Sequence, residues 1–234
     1  VAGFDLVRLM TGAWGTLGTI LHCVDHDWPG AEVALQKARR FGPGRADARS
    51  RYGWSLMFNR RFDEARAEYA EARALRPLDL TLRAHEALIS LYARDYPRAD
   101  AELQRVLDLA PHHLVATNLR AAVLLYAGRF EEGRAAYAAI LAAHPRLSIG
   151  RCGMAQAAAL LGDMAEAEAD LTRLRSASEA GHVSPYQIAM VCARMTAHDD
   201  ALQWLARAAA LRDFNFICAP VDPAFDGLRT DFSL

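Results

Sequence analysis

ADARSRYGWSLMFNRRFDEARAEYAEARALRP, residues 46–77, is the stretch whose reading decides the fold. Two apolar stripes, Tyr52/Leu56 and Ala65/Tyr69/Ala72, follow the three-to-four-residue spacing of a helix face. Asn59-Arg60-Arg61 separates them and Pro77 closes the second, so the stretch reads as a helical hairpin. Pro43, Pro77, Pro111 and Pro145 recur every 34 residues, which makes that hairpin one unit of an array.

Working outward, the units fall at about 11–44, 46–79, 80–113, 114–147, 148–181 and 182–212. Ala31, Ala65, Ala99, Gly133, Ala167 and Ala201 repeat at the same period, where two helices of a hairpin come too close for a large side chain. A large residue at Ala65 or Ala99 is expected to overpack the crossing at a cost of about 1–3 kcal/mol. Trp28, Phe62, Tyr96, Phe130, Met164 and His198 form the ladder beside them. The first unit carries one extra residue in its turn, Asp25-His26-Asp27-Trp28. The fifth has Glu179 where the period asks for proline, so its second helix is expected to run on toward His182. The sixth opens on Ser184-Pro185-Tyr186-Gln187, an N-cap serine, a proline at the first helical position and a glutamine placed for a capping box. Residues 1–10 read as a helical lead-in. Residues 213–234 break the period with Pro220 and Pro223 yet hold Phe214, Phe216, Ile217, Val221, Phe225, Leu228, Phe232 and Leu234, and read as an apolar cap over the sixth unit.

The composition, with a formal net charge of −1, does not suggest a nucleic-acid binder. Cys23, Cys152, Cys192 and Cys218 show no paired spacing and read as small apolar residues of a reducing, cytoplasmic protein. The uncharged run 9–24 is interrupted by Gly12, Gly15 and Gly18, so it reads as a helix of the array rather than a signal peptide. No run is apolar enough to span a bilayer.

From about 11 to 212 the repeats resemble the tetratricopeptide family, best in the second unit, where Tyr52, Gly53, Phe62, Ala65, Tyr69, Ala72 and Pro77 stand at signature positions. The resemblance implies an all-α, right-handed superhelical array of about six hairpins. It also implies a non-catalytic protein–protein interaction scaffold, without cofactor or metal and without direct nucleic-acid or membrane contact. Ser184-Pro185-Tyr186, residues 200–205 and residues 221–231 are similar to the closing segment of such arrays fused to bacterial winged-helix regulators, nucleotide cyclases and kinases. A regulatory or signalling context is therefore expected, and the initial Val1 suits a piece of a longer protein.

In that family the first helix of each unit lines a concave groove. Its ligand-facing positions correspond here to Thr19, His22, Asp47, Ser50, Trp54, Met57, Ala84, Leu88, Leu91, Asn118, Ala122, Leu125, Cys152, Gln156, Tyr186 and Met190. This groove is mostly apolar, and Asn118 alone does not make the clamp of Lys, Arg and Asn side chains that holds a carboxylate terminus. It suits an amphipathic helix or hydrophobic peptide from a partner. Equally, it suits cover by the protein itself, through residues 1–10, the tail or a second copy. The alternative function is accordingly assembly of a homo-oligomer on the same surface. His22 and His26 have the i, i+4 spacing of metal ligands, but they lie where a helix gives way to a turn and read as polar turn residues. Arg60-Arg61 reads as a solvated turn, and Asp63-Glu64 and Glu131-Glu132 as acidic helix starts.

Overall fold

The computed structural model describes residues 6–23, 25 and 27–228. Among these, twelve α-helices follow one another: α1 (Leu6–Cys23), α2 (Trp28–Phe41), α3 (Ala46–Phe58), α4 (Phe62–Leu75), α5 (Leu80–Tyr92), α6 (Tyr96–Leu109), α7 (Leu114–Tyr126), α8 (Phe130–Ala143), α9 (Ser148–Leu161), α10 (Met164–Glu179), α11 (Pro185–Arg194) and α12 (His198–Ala210). Two 3₁₀ helices follow, η1 (Phe214–Cys218) and η2 (Pro223–Leu228), and residues 229–234 of the expected cap, with Phe232 and Leu234, lie outside the described residues. Each odd helix packs on the even helix after it, giving six hairpins. Of the lead-in, Leu6 onward already belongs to α1, and residues 1–5 lie outside the described residues.

The ends of the helices are written into the sequence. Asp27, Asp79, Asp95, His113, Asp163 and Ser184 each accept a backbone N–H of the first turn that they cap, satisfying a donor with no partner inside the helix. Gln187 does not complete the expected capping box; its Oε1 accepts from Ser148 Oγ at 2.8 Å, tying α11 to α9. The four periodic prolines all lie in the connections between hairpins. Lacking that stop, α10 runs to Glu179 and turns at Gly181 with φ 78°.

Inside the hairpins, Ala31, Ala65, Ala99, Ala167 and Ala201 are fully buried. Between hairpins, an added Cβ at Gly153 of α9 would stand 2.1 Å from the Tyr137 ring of α8. The ladder of first helical residues fades along the array: Phe62 and Tyr96 pack against the core, whereas Met164 and His198 are exposed.

Consecutive odd helices also pack on one another more closely than consecutive even helices do. A stack held more tightly along one layer curves toward it, so the odd helices form the inner, concave face. Two large clusters make the core. One runs from Cys23 to Val123 and takes in Ile217 and Val221; the other runs from Cys152 to Ala208 and takes in Ala219, Ala224, Phe225 and Leu228. The tail therefore covers more than the sixth hairpin. A run of 3₁₀ turns has no period to tell from sequence which surface it will meet.

Candidate binding groove

The tail lies along the concave face, against the C-terminal ends of α3, α5 and α7 and the N-terminal turn of α11. Beyond α12 it is anchored first by Asp213, whose carboxylate accepts from Ser184 Oγ and from the Tyr186 N–H at 3.2 Å. η1 packs on both α1 and α12, and Phe214 meets Trp54 of α3 with ring centroids 5.5 Å apart. Arg60, in the turn after α3, donates to the Pro220 carbonyl at 2.7 Å. Arg94, in the equivalent turn after α5, donates to the Val221 carbonyl at 2.7 Å and grips both carboxylate oxygens of Asp226 at 2.7 and 3.1 Å.

Asp222 is the polar centre of this seat and is 4% exposed. Tyr126 Oη donates to its Oδ1 at 2.6 Å, and Tyr186 Oη to its Oδ2 at 2.7 Å. Its Oδ1 also accepts from the Ala224 N–H at 2.8 Å. Burial, with the Asp222 charge beside them, holds both phenols well above the usual tyrosine range, so both remain donors. Phe225 adds an edge-on contact with Tyr186 at 5.5 Å.

The residues expected to face a ligand divide into three groups. Met57, Leu91 and His22 are buried: Met57 and Leu91 in the cluster that the tail joins, Leu91 also bordering the second cavity below, and His22 with its ring stacked on Phe58 and Nδ1 3.4 Å from Ser55 Oγ. Leu125 belongs between α7 and α8, where its Cδ2 takes the space that a Cβ on Gly133 would need. Thr19 spends its hydroxyl on the Gly15 carbonyl and on Arg51. Ala84 is fully buried in the same cluster as Met57, and the rest line open space. Asp47, Ser50 and Trp54 border a cavity of about 230 Å³ with His85, whose imidazole burial holds in the neutral form. Leu88, Asn118, Ala122, Cys152, Gln156, Tyr186 and Met190 border a second of about 210 Å³, whose far wall is Asn215, Cys218 and Asp222 of the tail.

Of the residues that hold the tail, sequence reasoning had named Trp54 and Tyr186 and missed Tyr126 and the arginines. Arg60 is the exposed turn residue expected, but its guanidinium also reaches a carbonyl 160 positions away. The signal that was available is a contrast within one column. Arg60, Arg94, Gly128, Gly162 and Thr196 share the left-handed position after each odd helix from α3 on, and arginine stands twice where glycine is the easy choice.

Little in the groove suggests bond-making chemistry. Burial pushes the Cys23 thiol up to about 11 and Cys152 to about 12, away from the thiolate form that attacks or ligates. Among the described residues no three His, Cys, Asp or Glu side chains converge as a metal set, and His26 lies outside them. None of the described helices is long and apolar enough to cross a membrane.

No protein-family model matches the sequence, and no curated protein matches it. Solved structures do match. A tetratricopeptide repeat protein from Parabacteroides merdae aligns with a TM-score of 0.68 over 89% of this chain and 80% of its own, at 15% identity. PilW, described as a widely conserved type IV pilus biogenesis factor, gives 0.62 over 97% of this chain and 100% of its own, at 14% identity. PilF of Pseudomonas aeruginosa gives 0.59 over 97% and 99%, at 15% identity. The hairpins, the 34-residue column of small residues and these likenesses agree that the fold is that of tetratricopeptide repeat proteins.

Proposed function

We propose that this chain is a non-catalytic protein-interaction scaffold whose concave groove receives an apolar polypeptide segment carrying acidic residues. The observation that carries the reading is the seat of residues 213–228. The groove grips a segment of that chemistry through apolar side chains, through two tyrosines on Asp222 and through Arg94 on Asp226. A partner segment of similar chemistry would compete for the same contacts. The similarity of 221–231 to the closing segments of regulator-linked arrays supports a bacterial regulatory or signalling setting; a winged-helix, cyclase or kinase domain in the same reading frame is the check on that part.

The groove itself is tested with a labelled synthetic peptide of residues 213–228 and the intact chain. Asp222→Asn in the chain weakens only the resident tail, by removing a charged acceptor worth about 1.5–3 kcal/mol. That chain should capture the wild-type peptide about tenfold or more tightly than the wild-type chain does, by fluorescence anisotropy. A peptide carrying Asp222→Asn should show no such gain. Absence of binding to either chain, with circular dichroism unchanged, would show that the seat does not accept a segment in trans.

A further inference from the structure

The even-helix side of the array, away from the tail, carries a cavity of its own. It measures about 240 Å³ and lies among α4, α5 and α6, bordered by Arg73, Arg83, Glu86, Glu102, Arg105 and Val106. Three arginines thus stand against two glutamates, and both glutamates are engaged. Glu86 accepts from Arg73 at 3.2 Å; Glu102 accepts from Arg98 at 2.9 Å and from Ser90 Oγ at 2.7 Å. Arg83 and Arg105 have no carboxylate partner among the described residues. Arg83, half-buried, donates to the Pro77 carbonyl at 2.7 Å, and its Nε–H is sealed from solvent without an acceptor among the described residues.

The period shows what is missing. At the place of Arg83, the second hairpin has Arg49 and the fifth has Arg151. Arg49 reaches Glu68 at 3.1 Å and Glu71 at 3.8 Å, and Arg151 reaches Asp170 at 2.8 Å. In the third hairpin the counterparts of Glu68 and Glu71 are Glu102, held by other donors, and Arg105, of the opposite charge. An interface that elsewhere closes on a carboxylate is therefore left with a cavity and two guanidinium groups without a counterion. Like charges gathered in this way lower the stability of the free protein, and an anion entering the cavity would offset that cost.

The geometry points to an anion site in this cavity, for the phosphate group of a small soluble molecule. A guanidinium fork pairs with phosphate oxygens in planar two-point contacts, and Arg83 and Arg105 offer such forks from adjacent helices. A phosphate ester carries about two negative charges at neutral pH on three terminal oxygens, so it matches two forks better than a singly charged carboxylate does. The site shares no residue with the seat of 213–228 or with the two cavities of the groove. It is an activity beyond the scaffold reading and stands or falls without it.

The test is thermal unfolding of the intact chain titrated with inorganic phosphate, acetate or chloride, all as sodium salts at matched ionic strength. With a Kd of about 1 mM, about 10 mM phosphate should raise the midpoint by about 3–6 °C over chloride. Acetate should give a smaller shift. Arg105→Ala, at an exposed side chain, should weaken phosphate about three- to tenfold, whereas Arg40→Ala, exposed on α2, should leave the response as it is. Arg105→Glu gives the third hairpin the acid that the second has in Glu71. Its midpoint should be the same in phosphate as in chloride, and in chloride no lower than that of the wild-type chain. A phosphate response no greater than that to chloride, an acetate response equal to it, or an undiminished response in either Arg105 variant would each overturn the proposal. So would an equal loss in Arg40→Ala, which would mark a general effect of surface charge.

Discussion

At the turn after each odd helix from α3 on, five residues do the same backbone job at different cost. Gly128 and Gly162 take a positive φ without strain, whereas Arg60, Arg94 and Thr196 hold φ at 60°, 67° and 56°. For a residue with a Cβ that conformation costs about 1–2 kcal/mol, against about 0.5–1 kcal/mol for the extra freedom that glycine gives the unfolded chain. Thr196 is exposed and, among the described residues, its hydroxyl bonds only the Met195 carbonyl, so Thr196→Gly should stabilise by about 0.5 kcal/mol. Arg94→Gly relieves the same strain but forfeits hydrogen bonds to the Tyr92 and Val221 carbonyls and to Asp226. The Asp226 pair is partly solvated and counts for less, yet the carbonyl bonds alone outweigh the backbone gain, so Arg94→Gly should destabilise by about 1–2 kcal/mol. Urea unfolding of the two variants checks the opposite signs. The turn itself was legible in the sequence from its place in the period. The purpose of its arginines was not, because their partners lie in a segment without periodicity, 127 to 160 positions further on.

Helix packing shows the same economy, and here the sequence was a better guide. A column of small residues at period 34 is a direct imprint of close crossing, and it marked Ala65, Ala99 and Gly133 correctly. It does not show which of the glycines is indispensable. Alanine is favoured over glycine by about 1 kcal/mol in a helix interior, so any glycine kept there answers to space. At Gly133 the added Cβ meets the Leu125 Cδ2, the far end of a side chain that can turn aside. At Gly153 it meets three atoms of the Tyr137 ring within 2.3 Å, and that ring is 5% exposed with no free direction. Gly153→Ala should therefore cost about 1–3 kcal/mol by overpacking, while Gly133→Ala stays near neutral. Chemical denaturation of both proteins separates the cases; equal losses would mean that the crossing at α8 and α9 yields more easily than its geometry implies.

In the whole molecule, the tail changes how an array of repeats coheres. Stacked hairpins touch only their neighbours, so cooperativity between distant hairpins has to pass through each interface in turn. Residues 213–228 supply a shortcut. Ile217 and Val221 belong to the cluster built from the first hairpins, Phe225 and Leu228 to the cluster built from the last, and η1 touches α1 as well as α12. Arg212, at the end of α12, also pairs with Asp25 after α1 at 2.9 Å. The apolar character of this segment was plain from its sequence, and cover by the tail stood among the possible occupants of the groove. Its path was not readable, since hydrophobicity tells that a segment is buried but not against which of six similar hairpins. Ending the chain at Arg212 should uncouple the two clusters. Trp54 sits with the first and Trp204 with the second, so their fluorescence reports the two halves separately in Trp→Phe variants that keep one or the other. In the intact chain the two reporters should melt together in urea. In the shortened chain their midpoints should separate and the transition seen by circular dichroism should broaden. Coincident midpoints without the tail would mean that the helix interfaces alone carry the coupling, and that the tail only covers the groove.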